Sequence, residues 1–431
     1  MPALTSPREL GSLFLKIGII GFGGPTAHIA MMRREVVQER QWFSDQEFLE
    51  MAAVTNLIPG PNSTEMAMHI GSRRGGLRGL VVSGVTFIVP AVIIVAFISW
   101  LYAEYGTSTL VVDVRYGILP IIIAIVAHAV LMLSRSLIKE IAEVSNDPRN
   151  NRSDNSYKES PEVTDAPKNN PSGNSFNTTQ SGGQHTHVFR RKVFRTRVLT
   201  FTRAMTLPFL AAALYLAGIN ELIILMISGV LTLTIKHNNI GRMMSPVLPL
   251  LAGIVRIELS SLGLLFLKIG SVLYGSGYVL IAFLDRELVE DRGLLTAQQL
   301  LDAVAVGQIT PGPVFSTATF IGWQLHGVSG AFIATLAIFA PSFFFVGFLS
   351  RVLPWFKRHP AANAFLSGVT ASSLGLMTGA LVRLADGALT DALTWGIGLA
   401  TLVLLIRTRI SSVALVGAGV IIGLGQSFVN F

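Results

Sequence analysis

A Pro-Gly-Pro sequence occurs twice in the chain, and each copy could build an anion-binding site. The first copy ends the stretch from Asn56 to Pro61, and the second ends the stretch from Gln308 to Pro313. Because proline lacks a backbone donor and clashes with the preceding turn, each copy predicts a helix break followed by a new helix start. The first amides of a helix have no backbone partners and carry a partial positive charge, which suits an oxyanion.

We therefore expect a substrate site that draws on both copies and on a Gly-Gly-Pro sequence near the N-terminus. Its predicted members are Lys16, Gly23, Gly24, Pro25, Asn56, Pro59, Gly60, Pro61, Asn62, Ser63, Lys268, Gln308, Pro311, Gly312, Pro313 and Ser316. Asn56 and Gln308 would donate hydrogen bonds to the anion. In the alternative interpretation, the prolines only kink helices and improve their packing.

Two lysines, Lys16 and Lys268, lie inside apolar stretches. A cation buried in a membrane costs on the order of 3 kcal/mol and usually has a partner or a task, so both lysines are candidates for anion binding. Alternatively, each could snorkel to the interface, since each lies only about one and a half turns inside its segment.

Other titratable side chains near the breaks have two possible roles each. Glu65 and His69 lie four residues apart on one helix face, where they could relay protons or pair with each other. Arg34 and Arg286 could form an access funnel for anions or cap an interfacial helix. The chain has no cysteine, so thiolate metal sites and disulfides are excluded.

The composition is that of a membrane protein with many spans. Of 431 residues, 51% are hydrophobic and 13% are charged, whereas soluble proteins carry about a quarter charged residues. We predict an all-α polytopic protein with about 10 to 12 membrane segments. The net charge of +8 follows from cations in short loops and one linker, so the positive-inside rule accounts for it and no nucleic-acid partner is needed. No removable signal peptide is indicated.

Residues 1–140 and 198–258 are predicted to form a first repeat, residues 141–197 a disordered polar and basic linker, and residues 259–431 a second repeat. The first apolar segment, Gly11 to Met32, should break at its Gly-Gly-Pro sequence, and the amphipathic stretch from Arg33 to Glu50 predicts one interfacial helix.

The two repeats match at a constant spacing. At 252 residues (268 minus 16, or 311 minus 59), Lys16 matches Lys268 and the two Pro-Gly-Pro sequences coincide, and after one deletion the spacing becomes 251. The basic loops do not match. The loop after the first Pro-Gly-Pro segment carries three arginines, whereas its counterpart has only His326 as a titratable residue. In the next pair of equivalent loops, the excess of basic residues lies in the second half. This pattern predicts two repeats of opposite topology.

Opposite topology requires an odd number of crossings, and each half has six apolar segments. Either a Pro-Gly-broken segment is re-entrant or Pro246 to Val255 crosses as well. Inverted repeats with broken helices at matching places are typical of secondary transporters, with the site near the bilayer midplane.

Several motifs resemble the signature regions of the chromate ion transporter family in its long form with two homologous halves. They are Phe22 to Pro25, Arg34-Glu35, Asn56 to Pro61 and Gly71 to Gly79. The resemblance covers nearly the whole chain except the linker. Gly275-Ser276-Gly277 departs from it, since it replaces the Gly-Gly-Pro sequence in the second half. The resemblance implies antiparallel halves and efflux of chromate, and sometimes handling of sulfate, across the plasma membrane.

The resulting hypothesis is a multi-pass secondary transporter in the plasma membrane, the inner membrane of a bacterium, that exports chromate and gives chromate resistance. Its partners would be chromate or sulfate and the lipid bilayer, with a homodimer as one possible assembly. A sulfate or oxyanion permease and a passive anion channel are alternatives. An enzyme is disfavoured, because the sequence has no catalytic, cofactor or metal motif. We therefore expect no cofactor.

Overall fold

The structure is a computed structural model of the chain. It describes residues 5–55, 58–145, 205–236, 259–274, 277–358, 360–408 and 410–429. Most of the predicted linker lies outside these residues, as do Asn56, Gly275 and the stretch from Pro246 to Val255. The described residues are almost entirely helical, which confirms the all-α membrane fold.

The α-helices, in chain order, are α1 (Pro7–Ile20), α2 (Gly24–Arg33), α3 (Asp45–Thr55), α4 (Asn62–Tyr105), α5 (Thr109–Ser145), α6 (Met205–Leu216), α7 (Glu221–Lys236), α8 (Leu259–Val272), α9 (Leu280–Leu284), α10 (Ala297–Ile309), α11 (Thr317–Arg358), α12 (Pro360–Ala388), α13 (Ala392–Arg407) and α14 (Ser412–Val429). Short 3-10 helices, Gly277–Val279 and Val314–Ser316, precede α9 and α11. One π-helix, Arg34–Glu39, follows α2, and a second, Asp285–Glu290, follows α9.

Four helical stretches within the described ranges are long and apolar enough to cross a membrane: Asn62–Tyr105, Thr109–Lys139, Val314–Phe348 and Ala364–Ala388. The helices α6, α7, α8, α13 and α14 are apolar but shorter. The chain forms two compact units, residues 1–131 with 207–431, and residues 132–206. The fold described below belongs to the first unit. Of the second unit, the structure describes the last turns of α5 and the first residues of α6.

The duplication reappears in the helices. Both ends of α1 and α8 differ by 252 residues (259 minus 7, and 272 minus 20). The chain breaks after each of these helices, so the second half has a break at this place without a Gly-Gly-Pro sequence. The chain therefore breaks near Tyr274 in spite of the departure from the motif.

The prediction of one interfacial helix from Arg33 to Glu50 is wrong. The π-helix that ends at Glu39 is followed by a non-helical turn, and α3 begins only at Asp45. Gln41 adopts a left-handed backbone conformation, with φ of 51°, which a continuing helix does not permit. The stretch is amphipathic because two short helices bury Val36 and Phe48 in one core cluster.

The long helices α4 and α11 are hairpins of two helical legs. Non-helical residues join the legs at Gly75 and Gly76 in α4, and at His326 and Gly327 in α11. Residues eight apart in a straight helix are about 12 Å apart. Instead, Gly71 and Gly79 touch through their backbones, as Gly322 and Gly330 do in the second half. The basic loop predicted after the first Pro-Gly-Pro segment is therefore a tight reversal.

The Pro-Gly-Pro sequences form the tips of further hairpins. His69, on the first leg of α4, hydrogen-bonds the backbone of Met51 in α3, which requires the two helices to lie side by side. The α3 helix has 11 residues, about 16 Å at 1.5 Å per residue, against a hydrocarbon core of about 30 Å. This arrangement fits the re-entrant alternative, in which the tip ends inside the membrane.

Small residues let the helices of each half approach closely. Gly18 of α1 lies against the backbone of Phe87 in α4, and Gly270 of α8 lies against the backbone of Ile338 in α11. The helices α4 and α11 pack against each other, and α7 packs on α12. Glycine at such contacts is typical of helix packing in membranes, where close backbone approach replaces the hydrophobic driving force.

Substitution of Gly79 tests the hairpin. A methyl group at this position would meet the backbone of Gly71, so Gly79→Ala should destabilise the protein by about 1–3 kcal/mol. Gly347→Ala is the matched control, because its methyl group would enter open space and alanine favours helix over glycine by up to about 1 kcal/mol. Thermal unfolding of the detergent-purified protein measures both. Equal stability of the two variants would contradict the hairpin.

Candidate functional site

Two backbone hydrogen bonds join the Pro-Gly-Pro tip of each half to the break in the other half. The amide of Gly60 donates to the carbonyl of Leu273 at 2.9 Å, and the amide of Gly312 donates to the carbonyl of Gly21 at 2.9 Å. Donors and acceptors are each 252 residues apart (312 minus 60, and 273 minus 21). The two halves thus exchange equivalent contacts, and all four broken places meet in one region.

Glycine is required at both tips. Gly60 and Gly312 have φ values of 136° and 99°, which side chains other than glycine rarely adopt. A methyl group on Gly60 would also collide with the carboxyl of Glu65 and the hydroxyl of Ser342, and one on Gly312 would lie 2.8 Å from the Cβ atom of Ala91. The prolines on either side fix the turn, so the residue types follow from the geometry.

The first-half break also reaches the second-half tip through a tyrosine. A methyl group on Gly24 would lie 3.6 Å from the hydroxyl of Tyr278, and Tyr278 hydrogen-bonds the side chain of Gln308. The Nε2 atom of Gln308 is buried and has no partner among the described residues. Gln308, predicted as a hydrogen-bond donor to the anion, therefore lies in this region beside Tyr278. Gly23 and Pro25 lie beside Gly24 at the start of α2.

Each tip leads into a helix whose first turn carries a buried, unpartnered hydroxyl. These are Thr64 in α4 and Ser316 before α11, which are again 252 residues apart. Neither hydroxyl has a hydrogen-bond partner in the described part of the chain, although both are at most 1% exposed. Buried hydroxyls are normally paired, so these two are exceptions at matching positions of the two halves. The sequence predicts Ser63 and Ser316 as site residues, and the 252-residue spacing from Ser316 points to Thr64.

Both predicted lysines are bound to carboxylates. The Nζ atom of Lys16 donates to Glu35 Oε1 at 2.6 Å, and Arg40 binds the other oxygen of Glu35. In the second half, Lys268 binds Glu287, and Arg292 binds the same carboxylate at 3.2 Å. Each half thus contains a Lys-Glu-Arg cluster at matching positions, and neither lysine is a free cation in this conformer.

The first cluster is partly exposed. Lys16 has a side chain that is 55% exposed, whereas that of Glu35 is 9% exposed. Burial raises the pKa of Glu35, but the hydrogen bonds from Lys16 and Arg40 outweigh burial and leave the pKa below its usual value. Glu35 therefore stays ionised and holds both cations at neutral pH. Glu35 was not among the predicted site residues, although its 252-residue match to Glu287 is a signal that could have found it.

Glu65 and His69 do not hydrogen-bond to each other. Glu65 accepts a hydrogen bond from Ser342, and His69 is bonded to the backbone of Met51. The partners are on different helices, so the four-residue spacing places both side chains in the same region without pairing them.

The two predicted access arginines have different surroundings. Arg34 pairs with Glu39 at 2.9 Å through exposed side chains. Arg286 is mostly buried, pairs with Asp291 at 3.2 Å and also donates to the carbonyl of Gly218. Arg286 therefore fixes the turn before α7, whereas Arg34 is available at the surface.

Comparison with known proteins identifies the family. The model of the Chromate transporter family matches residues 8–233 and 260–424, which together make up most of the chain. The chain belongs to the chromate transporter family. The two matched regions correspond to the two repeats of the duplicated fold.

Curated relatives of this chromate transporter cover nearly its full length. A probable chromate transport protein of Synechococcus elongatus is 30% identical over 92% of this chain and 89% of the relative. A chromate transport protein of Cupriavidus metallidurans is 28% identical over 97% and 92%, and one of Pseudomonas aeruginosa is 27% identical over 90% and 83%. No solved structure matches the chain.

Replacement of Glu35 tests the ion cluster. Glu35→Gln leaves two cations without their buried partner, so we expect a loss of about 1–3 kcal/mol of folding free energy. Glu39→Gln removes a neighbouring exposed ion pair and should cost at most about 1 kcal/mol. Thermal unfolding in detergent compares the two. A similar small effect of both substitutions would show that the cluster does not stabilise the fold.

Proposed function

We propose that this chromate transporter is a secondary transporter that exports chromate across the plasma membrane, the inner membrane if the cell is bacterial. The observation that carries the proposal is the pair of matched, unpartnered hydroxyls of Thr64 and Ser316 at two helix starts. Names of the relatives add support, since two of them are named chromate transport proteins and a third is named a probable one. The site would lie where the two Pro-Gly-Pro tips and the opposing breaks exchange hydrogen bonds.

Chromate is a tetrahedral dianion that accepts hydrogen bonds at four oxygen atoms. Two helix starts provide amides and partial positive charge, two hydroxyls provide donors, and Gln308 provides an amide. None of these groups carries a full charge. Lys16 and Lys268, released from their carboxylates, would supply the cations that balance the dianion.

Outward transport follows from the charge of the substrate. With the cell interior negative by about 100 mV, the export of two negative charges gains roughly 4.6 kcal/mol. In the inverted-repeat mechanism, rocking of one half against the other would expose the same site to each side in turn. The exchanged hydrogen bonds Gly60 to Leu273 and Gly312 to Gly21 are equivalent in the two halves, so each half could exchange contacts with the other in the same way.

Sulfate is a second candidate substrate, because it has the same shape and charge as chromate and would use the same donors. A sulfate permease would accept both anions with similar affinity. Competition between labelled chromate and unlabelled sulfate at equal concentration separates the two, and we expect chromate to be preferred.

Uptake into inside-out vesicles tests the function. Vesicles that contain the protein should accumulate labelled chromate when their interior is made positive, because this potential corresponds to export from the cell. Uptake equal to that of vesicles without the protein would contradict the proposal. Potential and pH gradients are imposed separately, so that each driving force is measured alone.

Substitution of the matched hydroxyls locates the site in the same assay. The double variant Thr64→Val with Ser316→Ala should raise the half-saturating chromate concentration at least about tenfold, since each lost hydrogen bond to a charged group is worth about 1.5–3 kcal/mol. Ser99→Ala is the control, because Ser99 is a buried hydroxyl on α4 that donates to Val95 within its own helix. Unchanged saturation in the double variant would remove both hydroxyls from the site.

A further inference from the structure

Glu65 is a fully buried acid in the first turn of α4, directly after the first Pro-Gly-Pro tip. Its Oε1 atom accepts a hydrogen bond from the hydroxyl of Ser342 at 3.3 Å. Its Oε2 atom is buried and has no hydrogen-bond partner within the described residues. One weak neutral donor is thus the whole hydrogen-bonding environment that the described chain gives this carboxyl group.

The titratable groups around Glu65 provide no counter-charge. Tyr274, at the break after α8, is near enough to sense the charge of Glu65, and it is a neutral phenol. His69, one turn further along α4, is bonded to the backbone of Met51. The facing helix α11 contributes Ser342. Lys16 and Lys268 are bound to other glutamates, and the ion pairs of the described residues do not include Glu65.

An ionised carboxylate in such surroundings is strongly disfavoured relative to the neutral acid, because burial removes water and nothing replaces the lost solvation. The neutral acid is stable there without a neighbouring cation. In this conformer, Glu65 therefore carries a proton.

The position of Glu65 ties this proton to the interface between the halves. Glu65 belongs to the first half and Ser342 to the second, and Gly60, which touches both side chains, is held by Leu273 of the second half. Any motion that separates these parts admits water to the carboxyl group and lets it ionise. The equivalent positions in the other half are Thr317 and Ala91 (65 plus 252, and 342 minus 251), so the acid occurs once.

We infer that Glu65 is the proton-coupling site of the transporter, protonated when the halves meet at Gly60 and Ser342 and ionised when they part. One proton is then bound and released in each transport cycle. The inference rests on the proposed transport of chromate and assigns its coupling ion to a single side chain. His69 is outside this step, since its ring is bonded to α3.

Flux measurements in proteoliposomes test the inference. The membrane potential is clamped, a pH gradient is imposed, and the initial rate of labelled chromate flux is divided by the rate without the gradient. We expect a ratio different from one for the natural sequence and a ratio of one for Glu65→Gln. Glu47→Gln, which changes an exposed acid bonded to Ser44, should keep the natural ratio. A natural ratio in Glu65→Gln would overturn the inference.

Infrared spectroscopy of the purified protein gives a second readout that does not need transport. At neutral pH, the carbonyl stretch of a protonated, buried carboxyl group should be present in the natural protein and in Glu47→Gln, and reduced in Glu65→Gln. An identical band in all three proteins would overturn the inference even if Glu65→Gln moves no chromate. If the natural protein itself moves no chromate, the proposed function fails, and the spectra still decide whether Glu65 holds a proton.

Discussion

The exchanged backbone hydrogen bonds between the two halves are the constraint on which the rest of the structure depends. A helix that breaks inside a membrane leaves amides and carbonyls without partners, and such groups are costly where water is absent. The chain meets this need reciprocally, because the amides of Gly60 and Gly312 are bound by Leu273 and Gly21 of the opposite half. The breaks in each half are therefore satisfied only when both halves are present.

This reciprocity joins the short helix α3 and the first legs of α4 and α11, which flank the tips, to the opposite half. The helices α4 and α11 also pack against each other. Glycine allows both the tight reversals and the close packing. The same contacts thus occur twice, once from each half.

The sequence predicted the breaks because proline and glycine determine backbone geometry locally. The structure has the predicted breaks at both Pro-Gly-Pro tips. The duplication was visible in the sequence for another reason, namely the constant spacing of matching residues, and it reappears in the helices α1 and α8. The failure at Arg33 to Glu50 has a different cause, since amphipathicity reports which residues are buried and not whether one helix or two bury them. The partners of Lys16 and Glu65 depend on contacts between distant elements, which no local pattern encodes.

The two halves are alike in backbone and different in chemistry. Both have a Lys-Glu-Arg cluster and a buried hydroxyl beside the tip, whereas only the first half has an acid at the position of Glu65. Shared features suit a symmetric anion, and the unmatched acid suits a coupling role that is needed once per cycle. Duplication thus supplied the scaffold, and divergence at a few positions supplied the asymmetry.

The central claim is that a tetrahedral oxyanion binds between the two helix starts. A crystallographic anomalous difference map from crystals grown with chromate measures this directly, because chromium marks the anion within the protein. The account predicts a chromium peak within hydrogen-bonding reach of both Thr64 and Ser316. A peak elsewhere, with both hydroxyls still unpartnered, would contradict it.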